Sequence, residues 1–135
     1  MKVYKFFPPY QRNGRTTFPN TQNKSGVYII KEAGKIVYVG SSQKNLYKTM
    51  YRHFEKWHHR SQPVITYVNN MQNGNYTIRV ILCTGPQASK LERALIIRHQ
   101  PRDNEQKFES YKLTFPDHSI IAKYQDQEVI TECPF

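Results

Sequence analysis

Two β-branched and aromatic runs, GVYIIK (26–31) and KIVYVG (35–40), stand only three residues apart, with Glu32, Ala33 and Gly34 between them. Stiff side chains of this kind favour extended backbone, and so short a connection leaves room only for a reversal into the neighbouring strand. Gly34 can take the positive φ that a tight turn needs. The spacing therefore predicts a β-hairpin.

From Asn45 onward the pattern changes. Leu46, Met50, Phe54 and Trp57 recur at intervals of three and four, which predicts an amphipathic helix capped by Asn45 and running to about Trp57, with a basic outer face. Pro63 can open a second, shorter helix to about Met71, which the Asn73-Gly74 turn signal ends. TIRVILC (77–83) reads as a strand closed by Thr84-Gly85-Pro86. Ala88, Leu91 and Leu95 mark a helix to about Gln100, stopped by Pro101. The order is ββααβα. Residues 1–24, rich in Pro, Asn, Thr and Arg without period, read as an irregular arm packing through Tyr4, Phe6, Phe7 and Phe18. Residues 105–135 hold short alternating segments punctuated by Pro116-Asp117, which predicts an added strand pair. The expectation is a single α/β domain: a small central sheet of about three strands flanked by helices, with a core at 25–104, an N-terminal arm and a C-terminal strand extension.

Charge narrows the partners. The chain has 135 residues and a net charge of +10, but residues 1–60 hold 12 Lys or Arg against two acids, whereas residues 105–135 carry net negative charge. A basic field of this kind favours a polyanion, because neutralised phosphates release condensed counterions. No run approaches the roughly 18 apolar residues of a membrane span, and two prolines interrupt the N-terminus where a signal peptide needs an apolar stretch, so a soluble, intracellular chain with no membrane partner is expected. Cys83 and Cys133 have no companions at zinc-ligand spacing and read as spectator thiols.

Gly26-Val27-Tyr28, then Tyr38-Val39-Gly40 ten residues on, resembles the paired signature of the GIY-YIG nucleases. Leu91-Glu92-Arg93-Ala94-Leu95-Ile96, with His99, Pro101 and Asn104 after it, is similar to the segment that supplies that family's metal-binding glutamate and later asparagine. The resemblance covers about residues 25–104. It implies a DNA endonuclease dependent on Mg²⁺ or Mn²⁺, with Tyr28 placed to orient or activate the attacking water, Tyr38 as its partner, Glu92 as metal ligand and Asn104 as loop anchor or phosphate contact. Read alone, the two tyrosines are equally core aromatics of a hairpin. A phenol with a reference pKa near 10 is a poor base at neutral pH, so this role calls for nearby positive charge. Glu92 is the one acid between Glu55 and Asp103, and a hard cation binds readily through a single carboxylate plus waters and phosphate.

One position departs from the family. Its catalytic arginine belongs on the first helix, but alignment through Arg52-His53-Phe54 places Thr49 there, with His53 at the frequent histidine position; counting straight from Tyr38 places Lys48 there and Arg52 one turn on. Relocation to Arg52 or Lys48, a naturally weakened nuclease, and deliberate removal of an arginine all fit. A nucleic-acid-binding module on the same fold is the alternative function. Lys44, Lys48, Arg52, Lys56, His59 and Arg60 are the expected backbone-binding residues, helped by Arg12, Arg15 and Lys24 on the arm. Tyr47, Tyr51 and Trp57 are candidates for stacking on bases, His58 and His59 for a phosphate contact or simply a surface pair at a helix end. Cleavage of a palindrome would call for a homodimer.

Overall fold

The computed structural model describes residues 2–3, 6, 8, 21, 23–54, 67, 75–104 and 112–126. At its centre lies an antiparallel sheet of β1 (Lys2–Val3), β2 (Gly26–Glu32), β3 (Lys35–Ser42) and β4 (Tyr76–Leu82) in the order β1-β4-β2-β3. The three long strands are those the sequence predicts. The fourth corrects the irregular arm: Lys2 and Val3 pair with Leu82 and Ile81, giving β4 a neighbour on its outer side.

β2 and β3 reverse through Ala33 and Gly34, whose φ angles of 50° and 81° are those of a type I′ turn, matched to the right-handed twist of the strands. The turn is thus two residues long, and Glu32 still pairs with Lys35. Beyond an irregularity at Ile30/Lys31, the register sets Tyr28 opposite Gly40 and Ile30 opposite Tyr38.

Alternation along the strands divides the core in two. One face carries Val27, Ile29, Val39 and Ile81 and is covered by α2 (Gly85–His99) and α3 (Phe115–Asp126). The other carries Tyr28, Ile30, Ile78 and Val80 and is covered by α1 (Leu46–Tyr51), Phe54 and Tyr67. Asn45 caps α1, its side-chain oxygen accepting from the Lys48 amide, while the Thr21 and Lys24 carbonyls accept from Tyr47 and Leu46. The helix is shorter than expected. After Tyr51 the chain tightens into a turn in which His53 and Phe54 donate to the carbonyls three residues back, at 3.1 Å each. Leu46, Met50 and Phe54 are nonetheless buried as the periodicity predicts. Trp57 and, apart from Tyr67, the helix expected over 63–71 lie outside the described residues.

α2 starts at Gly85-Pro86 and ends on Gln100 at φ 44°, a left-handed cap. Where a C-terminal strand pair is expected, residues 115–126 form α3 instead, while 105–111 and 127–135 lie outside the described residues. Thr114 and Asp117 form a reciprocal capping box, the Asp117 carboxylate accepting from the Thr114 amide at 2.9 Å and the Thr114 hydroxyl from the Asp117 amide at 3.4 Å. Pro116 lies in the first turn, where its missing N–H costs nothing. Ile121 and Tyr124 then bury on the α2 side. Among the described residues no helix is long and apolar enough to cross a membrane.

Candidate active site

Both motif glycines are explained by contact. A Cβ on Gly26 would stand 2.2 Å from the Ile81 carbonyl oxygen of the neighbouring strand. A Cβ on Gly40 would stand 2.4 Å from the Tyr28 hydroxyl oxygen, so only glycine lets the Tyr28 ring lie across β3. Laid there, Tyr28 is 1% exposed and its hydroxyl meets His53 Nε2 at 2.7 Å. The half-buried Tyr38 completes the group, its ring centroid 4.6 Å from that of His53 and 6.0 Å from that of Tyr28. The tightened turn after α1 is what brings His53 inward, where it is 2% exposed.

The electrostatics run against a resting phenolate. Burial pushes the Tyr28 phenol well above its ordinary value, and Tyr38 and the Glu92 carboxylate push the same way. The positive charge expected to lower it is not among these influences, so Tyr28 is a neutral hydroxyl beside an imidazole. Glu92 reaches β3 from α2, where its carboxylate accepts from the Ser41 hydroxyl. Burial raises the Glu92 carboxyl above the usual range and the Ser41 hydrogen bond opposes this. Among the described residues Glu92 has no ion pair, and no group of three His, Cys, Asp or Glu converges on a metal site. A half-buried carboxylate without a cationic partner suits a hard cation that keeps most of its ligands as water or phosphate oxygen.

Other expected residues fall into distinct places. Asn104 is 8% exposed and grips the outer edge of β3: its Oδ1 accepts from the Val39 amide and its Nδ2 donates to the Val39 carbonyl, both at 2.9 Å. This is the anchoring half of the expected role. Thr49, on α1, donates its hydroxyl to the Asn45 carbonyl of its own helix at 3.2 Å. Arg52 forms the α1 C-cap and is half-buried, while Lys44, before α1, and Lys48, within it, are exposed. Lys56, His59 and Arg60, with Arg12, Arg15 and His58, lie outside the described residues. Tyr47 and Tyr51 stack on each other with centroids 6.1 Å apart. Cys83 is a buried free thiol.

Sequence reasoning missed three members. Ser41 is a polar residue on the otherwise aliphatic Val27/Val39 face, a signal that was available. Tyr67 packs on Phe54 and donates to Asp103 at 2.8 Å, and Asp103 in turn pairs with Arg102, which also bridges to Glu32. Burial and the Asp103 hydrogen bond raise the Tyr67 phenol. Nothing in the spacing links positions 67 and 103.

A family model for the GIY-YIG catalytic domain matches residues 24–111, more than half of the chain. The chain belongs to the GIY-YIG family. Tyr28, Tyr38, His53, Glu92 and Asn104 all fall inside the matched GIY-YIG segment, whereas α3 falls beyond it. UvrABC system protein C of Thermosipho africanus is 29% identical over 85 residues, which are 63% of this chain and 14% of that protein, so the chain spans about one seventh of its relative. Two crystal structures of the GIY-YIG N-terminal endonuclease domain of UvrC from Thermotoga maritima, point mutants bound to the catalytic divalent cation, are 25% and 20% identical to this chain. Each aligns with 64% of this chain and 89% of its own at a TM-score of 0.47.

Proposed function

We propose that the chain is a DNA endonuclease that hydrolyses phosphodiester bonds with a divalent cation, Mg²⁺ or Mn²⁺, held through Glu92. The observation that carries this reading is the Tyr28 ring laid across Gly40, which sets its hydroxyl on His53 Nε2 and within the field of Glu92. When bound, the cation would polarise the phosphoryl oxygen and acidify water. The protein's own groups handle the proton. Tyr28, being neutral, acts as a relay: its oxygen takes a proton from the attacking water as its own proton passes to His53 Nε2. Tyr38 packs over both rings and holds them in register. Ser41 orients the Glu92 carboxylate, and Asn104 fixes the strand that carries Tyr38, Gly40 and Ser41. Arg52, one turn beyond Thr49, supplies the fixed charge at the phosphate. Lys44 and Lys48 contact the backbone, as do Lys56, His59 and Arg60 on this reading, and phosphate contacts of this kind position a substrate without specifying its sequence.

A second reading rests on Thr49. Its hydroxyl is held by its own helix and carries no charge, so a chain in which Arg52 does not substitute would bind DNA without cutting it. Cleavage of labelled single-stranded, double-stranded and branched DNA, with Mg²⁺ or Mn²⁺ and then with chelator, separates the two when this chain is run beside Thr49→Arg. Metal-dependent cutting by the unmodified chain is the expected result. Cutting by Thr49→Arg alone would establish the binding module instead, and absence of salt-sensitive DNA binding in both would remove both readings. A palindromic target would require two copies, and light scattering that shows a monomer with and without DNA would dismiss the dimer.

A further inference from the structure

α3 docks on α2 through Ile121 and Tyr124, the latter donating its hydroxyl to Gln87, and leaves a groove of about 910 Å³ between the two helices. Its lining includes Ser89, Lys90 and Arg93 from α2 and Phe115, Asp117 and Lys123 from α3. Three features give it a character. Phe115, at the start of α3, is 83% exposed, far more than Tyr51 at 37%, the other exposed large hydrophobic side chain among the described residues. Among the described residues that line it, three cations stand beside one carboxylate, and that carboxylate already accepts from the Thr114 amide and hydroxyl at the head of α3. The groove also begins beside Glu92: Ser89 is one turn before it on α2, and the Gln43 to Ser89 hydrogen bond at 2.8 Å lies next to the Ser41 to Glu92 contact, two rungs joining the end of β3 to α2.

We propose that the α2–α3 groove holds a single-stranded portion of the nucleic acid substrate, with Lys90, Arg93 and Lys123 against phosphates and Phe115 stacked on an unpaired base. Charge complementarity selects the occupant. An apolar peptide would gain nothing from three cations, whereas a polyanion with flat unpaired faces uses both the charges and the ring. One wall of the groove is α3, which lies beyond the segment that matches the family, and the other is α2, which lies inside it. The proposal rests on the nuclease reading, and the test keeps the two apart.

The experiment measures binding of the full chain, in chelator so that nothing is cut, to a labelled blunt duplex and to the same duplex with a single-stranded overhang. Phe115→Ala is expected to weaken overhang binding by roughly tenfold while blunt-duplex binding stays within about twofold, and Phe115→Trp to restore it. Because Phe115 is exposed, its removal leaves no cavity, and circular dichroism checks that the fold is retained. The double variant Lys90→Ala/Lys123→Ala should lower the salt slope on the overhang probe by about 1.4, two phosphate contacts on a single strand. Unchanged overhang affinity in Phe115→Ala, or equal losses on both probes, overturns the groove while intact cleavage leaves the nuclease reading standing. No DNA binding by the unmodified chain overturns both. A dimer that Phe115→Ala splits would assign the groove to a second copy and overturn the proposal.

Discussion

Tyr28 and Ile29 are adjacent in one strand and belong to different chemistries. The face that includes Tyr28 is packed with phenols and an imidazole, namely Tyr38, His53, Tyr67 and Tyr76, with aliphatic groups between them. The face that includes Ile29 is almost wholly aliphatic, closed by Leu91, Ala94, Leu95 and Ile121. Both are equally buried, so burial does not distinguish scaffold from site. What distinguishes them is that every polar atom on the Tyr28 side needs a partner, and those partners impose geometry. Glu92 belongs to the aliphatic side by helix and to the polar side by charge, reaching the edge strand at Ser41.

The largest expected effect breaks that division at its crossing point. Glu92→Gln should reduce metal-dependent cleavage by about 10³-fold or more with DNA binding retained, and full activity would remove the metal assignment. Its stability should move the other way. A carboxyl raised by burial is harder to ionise in the folded chain than in the unfolded one, so metal-free stability falls as pH climbs from the ordinary glutamate pKa through the raised one, and Glu92→Gln abolishes that fall. A divalent cation should therefore raise the melting temperature more at about pH 8 than at about pH 5, and not at all in the variant. Tyr28→Phe comes next: loss of the hydroxyl should slow cleavage by about 10²-fold while costing on the order of 1 kcal/mol in denaturant titration. Wild-type rates would end the relay. Gly40→Ala drives a methyl into the Tyr28 ring; we expect about 1–3 kcal/mol of destabilisation together with a cleavage defect, since the ring can yield only by leaving His53. The smallest effect is the control on the opposite face. Ile29→Val should lose about 1 kcal/mol of stability and leave the cleavage rate unchanged, and a rate change there would show that the two faces are coupled.

Much of this arrangement was legible because it is local. The hairpin, the Asn45 cap, the burial of Leu46, Met50 and Phe54, and the helix stopped by Pro101 follow from spacing within one or two turns of chain. Failures came where a local cue has two meanings or where the partner is distant. Pro116-Asp117 in the sequence reads as a break between strands, yet Thr114-Phe115-Pro116-Asp117 is a helix start, and Ile120, Ile121 and Tyr124 satisfy a helical period as well as a mixed alternation. Lys2 and Val3 are too short a run to announce a strand; β4 makes them one. The motif singles out Tyr28, Tyr38 and Glu92 as candidates, but not that the Tyr28 phenol would be raised, since that depends on burial and on Glu92 arriving from 64 residues away. The link from Tyr67 to Asp103 has the same long-range origin.

Asn104 has a consequence for how the molecule lives in solution. β3 is the outer strand of the described sheet on the side away from β1, and an exposed strand edge invites another chain to add itself. By taking both the donor and the acceptor of Val39, and with the Asp103 amide on the Val37 carbonyl, the 103–104 segment behaves as a strand two residues long. The edge beside Tyr38 is thereby closed to self-association. Loss of Asn104 should accordingly show first as aggregation at high concentration, a failure of solubility before one of chemistry.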